Sequence, residues 1–142
     1  MSLHQFLLII HLLAVAYGLG IGMSNFLNAR IAKSQTGDIA KGLALHRVSM
    51  LRYTDIAIAT ILVSGLLLVW AMGGVSANGS WFHVKMAFVV IVVLSYGAMR
   101  MTVGQMMRTG NMALASRVAV LSPILSLAAI ATVICAVLAF SA

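Results

Sequence analysis

Apolar residues dominate four long stretches of this 142-residue chain, at about 4–27, 52–72, 82–106 and 118–140. Each is close to the roughly 20 residues that a helix needs to cross a hydrocarbon core of about 30 Å. The polar separators are of two kinds. Residues 28–50 and 107–117 are basic, whereas 73–80 (GGVSANGS) is short, glycine-rich and uncharged. The pattern predicts an all-α fold, an integral membrane four-helix bundle that forms a single domain over residues 1–142. In the first basic separator, Gly37-Asp38 marks a break and an N-cap, after which Ile39, Leu43, His46 and Met50 recur at helical spacing. The second helix is therefore expected to run from about 39 to 72, with about three turns beyond the membrane.

Charge gives this pattern an orientation. Eight of the nine basic residues (Arg30, Lys33, Lys41, Arg47, Arg52, Arg100, Arg108, Arg117) fall in or beside the two basic separators, and only Lys85 lies at the other end of the spans. Positive charge stays on the cytoplasmic side, so both basic loops are expected inside and the topology N-out/C-out. Trp70, Trp81 and Phe82 flank the uncharged turn, where a membrane–water boundary attracts aromatic rings. This distribution makes the net charge of +7 a topological signal and argues against a nucleic-acid surface. The N-terminal MSLHQ has no basic residue and positive charge follows the first apolar run, the wrong order for a cleaved leader. The first span is expected to be a retained anchor in a multi-pass protein of a bacterial inner (cytoplasmic) membrane.

Composition narrows the function classes. Hydrophobic residues make up 63 % of the chain and charged ones 8 %, with a mean hydropathy of +1.11. A soluble enzyme, a disordered tail and a disulfide scaffold are excluded. The one cysteine, Cys135, lies in an apolar run and reads as a small packing residue.

The few polar residues inside the spans carry the functional information. At 100° per residue, His4, His11, Gly18 and Gly22 fall near one line of the first helix. Ala14, Gly18 and Gly22 form a small-residue stripe that admits a neighbouring helix. His11 should face the same way, either as a polar side chain bonded to that neighbour or as a ligand or proton carrier. In WFHVK, His83 and Lys85 lie about 200° apart near the outer boundary. Lys85 either snorkels to the surface or binds a carboxylate. Asp55 is the only acid within a span; it reads as an ion-pair partner of Arg52 or Arg100, or as a proton-relay carboxylate. No nucleophile–base pair, phosphate loop or cysteine metal motif is present. Histidines from two helices on one side of the membrane suit axial ligation of a haem, with His11 and His83, or His4 and His83, as the pair.

The early IIH of the first helix, the SGLLLVW of the second and the WFHVKMAFVVIVVLSYG of the third together resemble the HemJ-type membrane protoporphyrinogen IX oxidases. These belong with a wider group of small four-helix proteins that includes copper-resistance D-like domains. The matching residues are His11 with Gly18, then Trp81, His83 and Lys85, and finally Pro123. The chain departs from the pattern where a Leu-Pro-Arg would end the first helix and where an acid would precede the last-helix proline, since Leu121-Ser122 stand there. The resemblance implies haem b held by His11 and His83, with Lys85 beside a propionate. It also implies oxidation of protoporphyrinogen IX to protoporphyrin IX, for which Lys85 and Asp55 are the candidate catalytic groups; the membrane setting points to quinone as electron acceptor.

The alternative is a non-enzymatic accessory or assembly subunit of a larger membrane respiratory or photosynthetic complex. The partners expected are thus the lipid bilayer, a tetrapyrrole, quinone, and a second copy or a larger complex. The orientation is directly measurable. In a Cys135→Ser background, a single cysteine at Ser34 should react with a membrane-impermeant maleimide only from the cytoplasmic face, and one at Ser80 only from outside. The reverse pattern would overturn the N-out/C-out assignment.

Overall fold

The computed structural model describes residues 2–74 and 79–141. Its order is α1 (Leu3–Ala32), α2 (Gly37–Ala71), α3 (Ser80–Thr109), a single 3-10 turn (Met112–Leu114) and α4 (Ala115–Ser141). The protein is all-α, and all four helices are long and apolar enough to cross a membrane. Part of the expected glycine-rich turn, residues 75–78, lies outside the described residues.

Local chemistry explains the helix ends. Ser2 and Gln5 form a capping box, with Ser2 Oγ accepting from Gln5 N at 3.2 Å and Gln5 Oε1 accepting from Ser2 N at 2.9 Å. The last turn of α1 holds Arg30, whose guanidinium lies 5.8 Å from the centre of the Phe26 ring. Gly37, at φ 64°, is the break foreseen in the sequence, a left-handed conformation that a side chain would strain. The N-cap itself is Thr36, and Asp38 sits in the first turn, where its charge opposes the helix dipole without capping it. At the end of α3, Gly110 adopts φ 64° and its N–H donates to Met106 O at 2.8 Å. Asn111 Oδ1 then accepts from Ala113 N at 3.1 Å and steers the chain into α4.

The chain divides into two units, one holding α1 and α2, the other α3 and α4. In the first unit α1 buries Leu7, Ala14 and Ile21, seven residues apart, and α2 buries Leu51, Ala57, Ser64 and Leu68. Seven-residue spacing is that of a coiled-coil seam. Gly18 belongs to this seam: a Cβ built on it would lie 3.5 Å from Ile61 Cδ1 and 3.7 Å from the Ala57 Cβ. Gly22 does not, for a Cβ there meets no atom within 4 Å, and Ile21 fills the seam in its place. The expected Ala14-Gly18-Gly22 stripe thus stops at Gly18, because a seven-residue seam drifts off a strict four-residue row.

In the second unit α3 buries Ser95, Tyr96 and Thr102, and α4 buries Ala128 and Cys135, again seven apart. Cys135 is the packing residue that its surroundings in sequence suggest.

Among the described residues no large side chain is fully buried, and Trp70, at the end of α2, is 75 % exposed. That surface suits a bilayer, which replaces protein as the apolar surroundings. Hydroxyls within the helices then bond back to their own backbone. Thr54, Thr60, Ser64, Thr102, Ser126 and Thr132 each donate to the carbonyl four residues earlier, at 2.6–3.1 Å.

The seam predicts a graded response at Gly18. Gly18→Ala should be tolerated, because its Cβ would rest at ordinary contact distance. Gly18→Leu should overfill the seam and cost about 1–3 kcal/mol, seen as a lower midpoint in thermal unfolding of the detergent-solubilised protein followed by circular dichroism.

Candidate functional site

The best-defined polar arrangement in the spans is built around His11. Ser64, on α2, is 3 % exposed and lies against α1. His11 Nδ1 is 2.9 Å from Ser64 Oγ, and the same hydroxyl is 2.6 Å from Thr60 O. A serine hydroxyl has one proton. With that proton directed to the Thr60 carbonyl, Ser64 accepts from His11, an arrangement that favours the imidazole proton on Nδ1. This tautomer places the ring's lone pair on Nε2, the nitrogen with which an imidazole ligates a metal.

The ring is seated by a missing side chain. A Cβ at Gly65 would lie 3.2 Å from His11 Cε1 and 3.7 Å from Nδ1, so glycine here lets the imidazole rest almost on the α2 backbone. An open groove of about 360 Å³ lies on the other side of Ser64, lined by Leu7, Ile10, Thr60, Val63, Ser64 and Leu67. His11 does not line it. On the α2 helical wheel Gly65 lies 100° to one side of Ser64, whereas Thr60, Val63 and Leu67 lie 40–100° to the other at about 100° per residue. Ser64 therefore separates the histidine from the groove.

The remaining candidates are dispersed. His4 is half-buried near the start of α1. Asp55 is half-buried on α2, nine residues or about 13 Å along the axis from Ser64 toward the basic end. It carries a polar interaction of its own, and Arg52, one turn before it, is exposed. His83 and Lys85 belong to the second unit, in the first turns of α3. His83 is exposed, its ring 5.9 Å from that of Phe82 in an edge-on arrangement at 77°. Lys85 is half-buried, consistent with the different faces assigned to the two from their spacing. Within the first unit the structure joins His11 to Ser64, Thr60 and Gly65.

Among the described residues no group of three or more His, Cys, Asp or Glu side chains could hold a metal ion. A bare-ion site of the usual protein kind is therefore not formed by them. A haem asks less of the protein, because the porphyrin supplies four nitrogens and only one or two axial ligands are needed. No protein-family model, curated protein or solved structure matches the chain.

Ser64 and Gly65 open the SGLLLVW segment of the second helix, but the sequence alone assigned neither a role. The available signal was their pairing across the hairpin: 11 and 64, like 18 and 57, are equally placed about the turn between α1 and α2. The consequence is testable in the ring itself. Nitrogen-15 spectra of His11 should show a protonated Nδ1, and Ser64→Ala should release the ring to a tautomer mixture while helix content is retained. Gly65→Ala should push the ring aside and lengthen the bond to Ser64. A wild-type ring protonated on Nε2 alone would overturn the assignment.

Proposed function

We propose that this chain is a small membrane redox protein that holds a b-type haem or a related tetrapyrrole, with His11 as an axial ligand. The observation that carries the reading is the His11–Ser64–Thr60 relay. Ligating histidines characteristically donate their second ring N–H to an oxygen, which fixes the tautomer and the ring plane. Ser64 does this for His11 inside a helix seam, and Gly65 leaves the ring the room to adopt that pose.

The sequence expectation adds His83 as a residue that would also hold the haem and Lys85 as one that would offer a point charge to a propionate. A bound haem supplies one-electron chemistry. The protein's own part is to orient the imidazole through Ser64 and to keep water away with apolar helices. Asp55, which lies about 13 Å from Ser64 along α2 and carries a polar interaction of its own, is the carboxylate to which this reading assigns proton transfer from the substrate. The resemblance carried by His11, Gly18 and the WFHVK segment extends the reading to a protoporphyrinogen-type substrate; the membrane setting suggests quinone as acceptor, and an inner-membrane location goes with it.

The detergent-purified protein should show a Soret band whose reduced form has the sharp visible bands of a b-type haem. His11→Ala and His83→Ala should each abolish or strongly shift it, and Ser64→Ala should alter its position with smaller loss of haem. Full haem retention in both histidine variants would sink the reading. A colourless protein that copurifies with a larger complex would favour the accessory-subunit alternative instead.

A further inference from the structure

The side of α1 that faces away from α2 carries a pattern of its own. Leu12, Leu19, Met23, Phe26, Arg30 and Lys33 follow one another at steps of seven, four, three, four and three, which keeps them on one row. In the seven-residue repeat of Leu7, Ala14 and Ile21, this row stands roughly 150–210° around the helix from the seam. All six residues are exposed, the four apolar ones at 38–60 %.

The order of chemistry along the row matches the depth profile of one leaflet. From Leu12 to Met23 the row is apolar over about 16 Å, close to the roughly 15 Å that the acyl chains of one leaflet fill. Phe26 follows, an aromatic ring at the end of the apolar stretch, where a membrane–water boundary attracts one. Arg30 lies about 6 Å farther along the axis and Lys33 about 10 Å, and both side chains are long enough to reach back into a headgroup layer of about 5–8 Å.

The arginine has a fixed place on this row. Its guanidinium carbon lies over the Phe26 ring, 5.8 Å from the centroid. A ring face attracts the charge but leaves most of the five N–H donors to be bonded elsewhere. Helix capping does not take them, because the carbonyls of Arg30, Ile31 and Ala32 accept from the backbone N–H groups of Lys33, Ser34 and Gln35 at 3.0–3.3 Å. Acidic side chains are scarce as well: residues 28–50 hold Arg30, Lys33, Lys41 and Arg47 against Asp38 alone.

We infer that this face of α1 is a binding site for an anionic phospholipid, with its phosphate between Arg30 and Lys33, its glycerol region over Phe26 and an acyl chain along Leu12–Met23. A guanidinium offers a phosphate two parallel donors, and a nearby ammonium adds a point charge. A zwitterionic lipid fits less well, because its own cation would meet the local excess of positive charge. A partner helix also fits less well, because the row is mostly of large side chains and close helix contacts favour small ones. The inference rests on α1 alone and does not depend on a haem being bound.

Native mass spectrometry of the full chain in detergent, titrated with phosphatidylglycerol or with phosphatidylcholine, tests it. The first phosphatidylglycerol should bind more tightly than later ones and more tightly than phosphatidylcholine. Arg30→Gln and Lys33→Gln should each weaken that first binding about fivefold, the share of one cation, with phosphatidylcholine binding and the helix content by circular dichroism unchanged. Arg108→Gln, at the last turn of α3, should leave it unaltered. A phosphatidylglycerol with a photoreactive acyl chain should label peptides that contain Leu12–Met23. Equal affinity for the two lipids would overturn the site, as would an equal loss in Arg108→Gln, which would mean a diffuse field at the basic end. Label confined to the other helices would overturn it too.

Discussion

The first unit depends on how closely two helices can approach in surroundings that give no hydrophobic reward for doing so. Lipid tails are as apolar as leucine, so α1 and α2 must gain from packing contacts and from polar groups that find each other. Small residues meet that demand. Gly18 on α1 lies against Ala57 on α2 and His11 against Ser64 and Gly65, and Ala57 is 1 % exposed in a protein with no large side chain fully buried among the described residues. The long residues around them, such as Leu12, Leu13, Leu66 and Trp70, point outward and meet the bilayer.

Close approach is also what gives His11 its chemistry. A histidine on an isolated helix would have no fixed tautomer. Brought within 2.9 Å of a serine hydroxyl that also lies 2.6 Å from Thr60 O, it gains a partner that favours the form protonated on Nδ1.

The elements themselves were largely legible in the chain. The second helix, expected from about 39 to 72, spans Gly37–Ala71, and the foreseen break at Gly37 is a left-handed residue. The helices overrun their apolar stretches chiefly at the basic ends, α1 to Ala32 and α3 to Thr109. Backbone hydrogen bonding continues after the side chains turn polar, and hydropathy alone does not register that. The site was legible only in part. His11 stood out because an ionisable residue in a span is rare, but its orienting partner Ser64 looked like one more small residue in an apolar run. Gly22 was grouped with Gly18 by its four-residue spacing, whereas the seam follows seven, so only Gly18 lies against the partner helix.

Sequence by itself determined that this is a multi-pass, all-α protein with four long apolar helices, and it named the scarce polar residues within them. That follows because crossing a bilayer imposes length and composition on each helix separately, with no reference to its neighbours. The tertiary structure alone decided which polar residue meets which. The bond from His11 to Ser64 spans 53 positions, and the bed that Gly65 provides for the ring likewise joins residues more than 50 positions apart. Those contacts are fixed by helix register and by which face turns inward, quantities that belong to the pair of helices and to neither one alone.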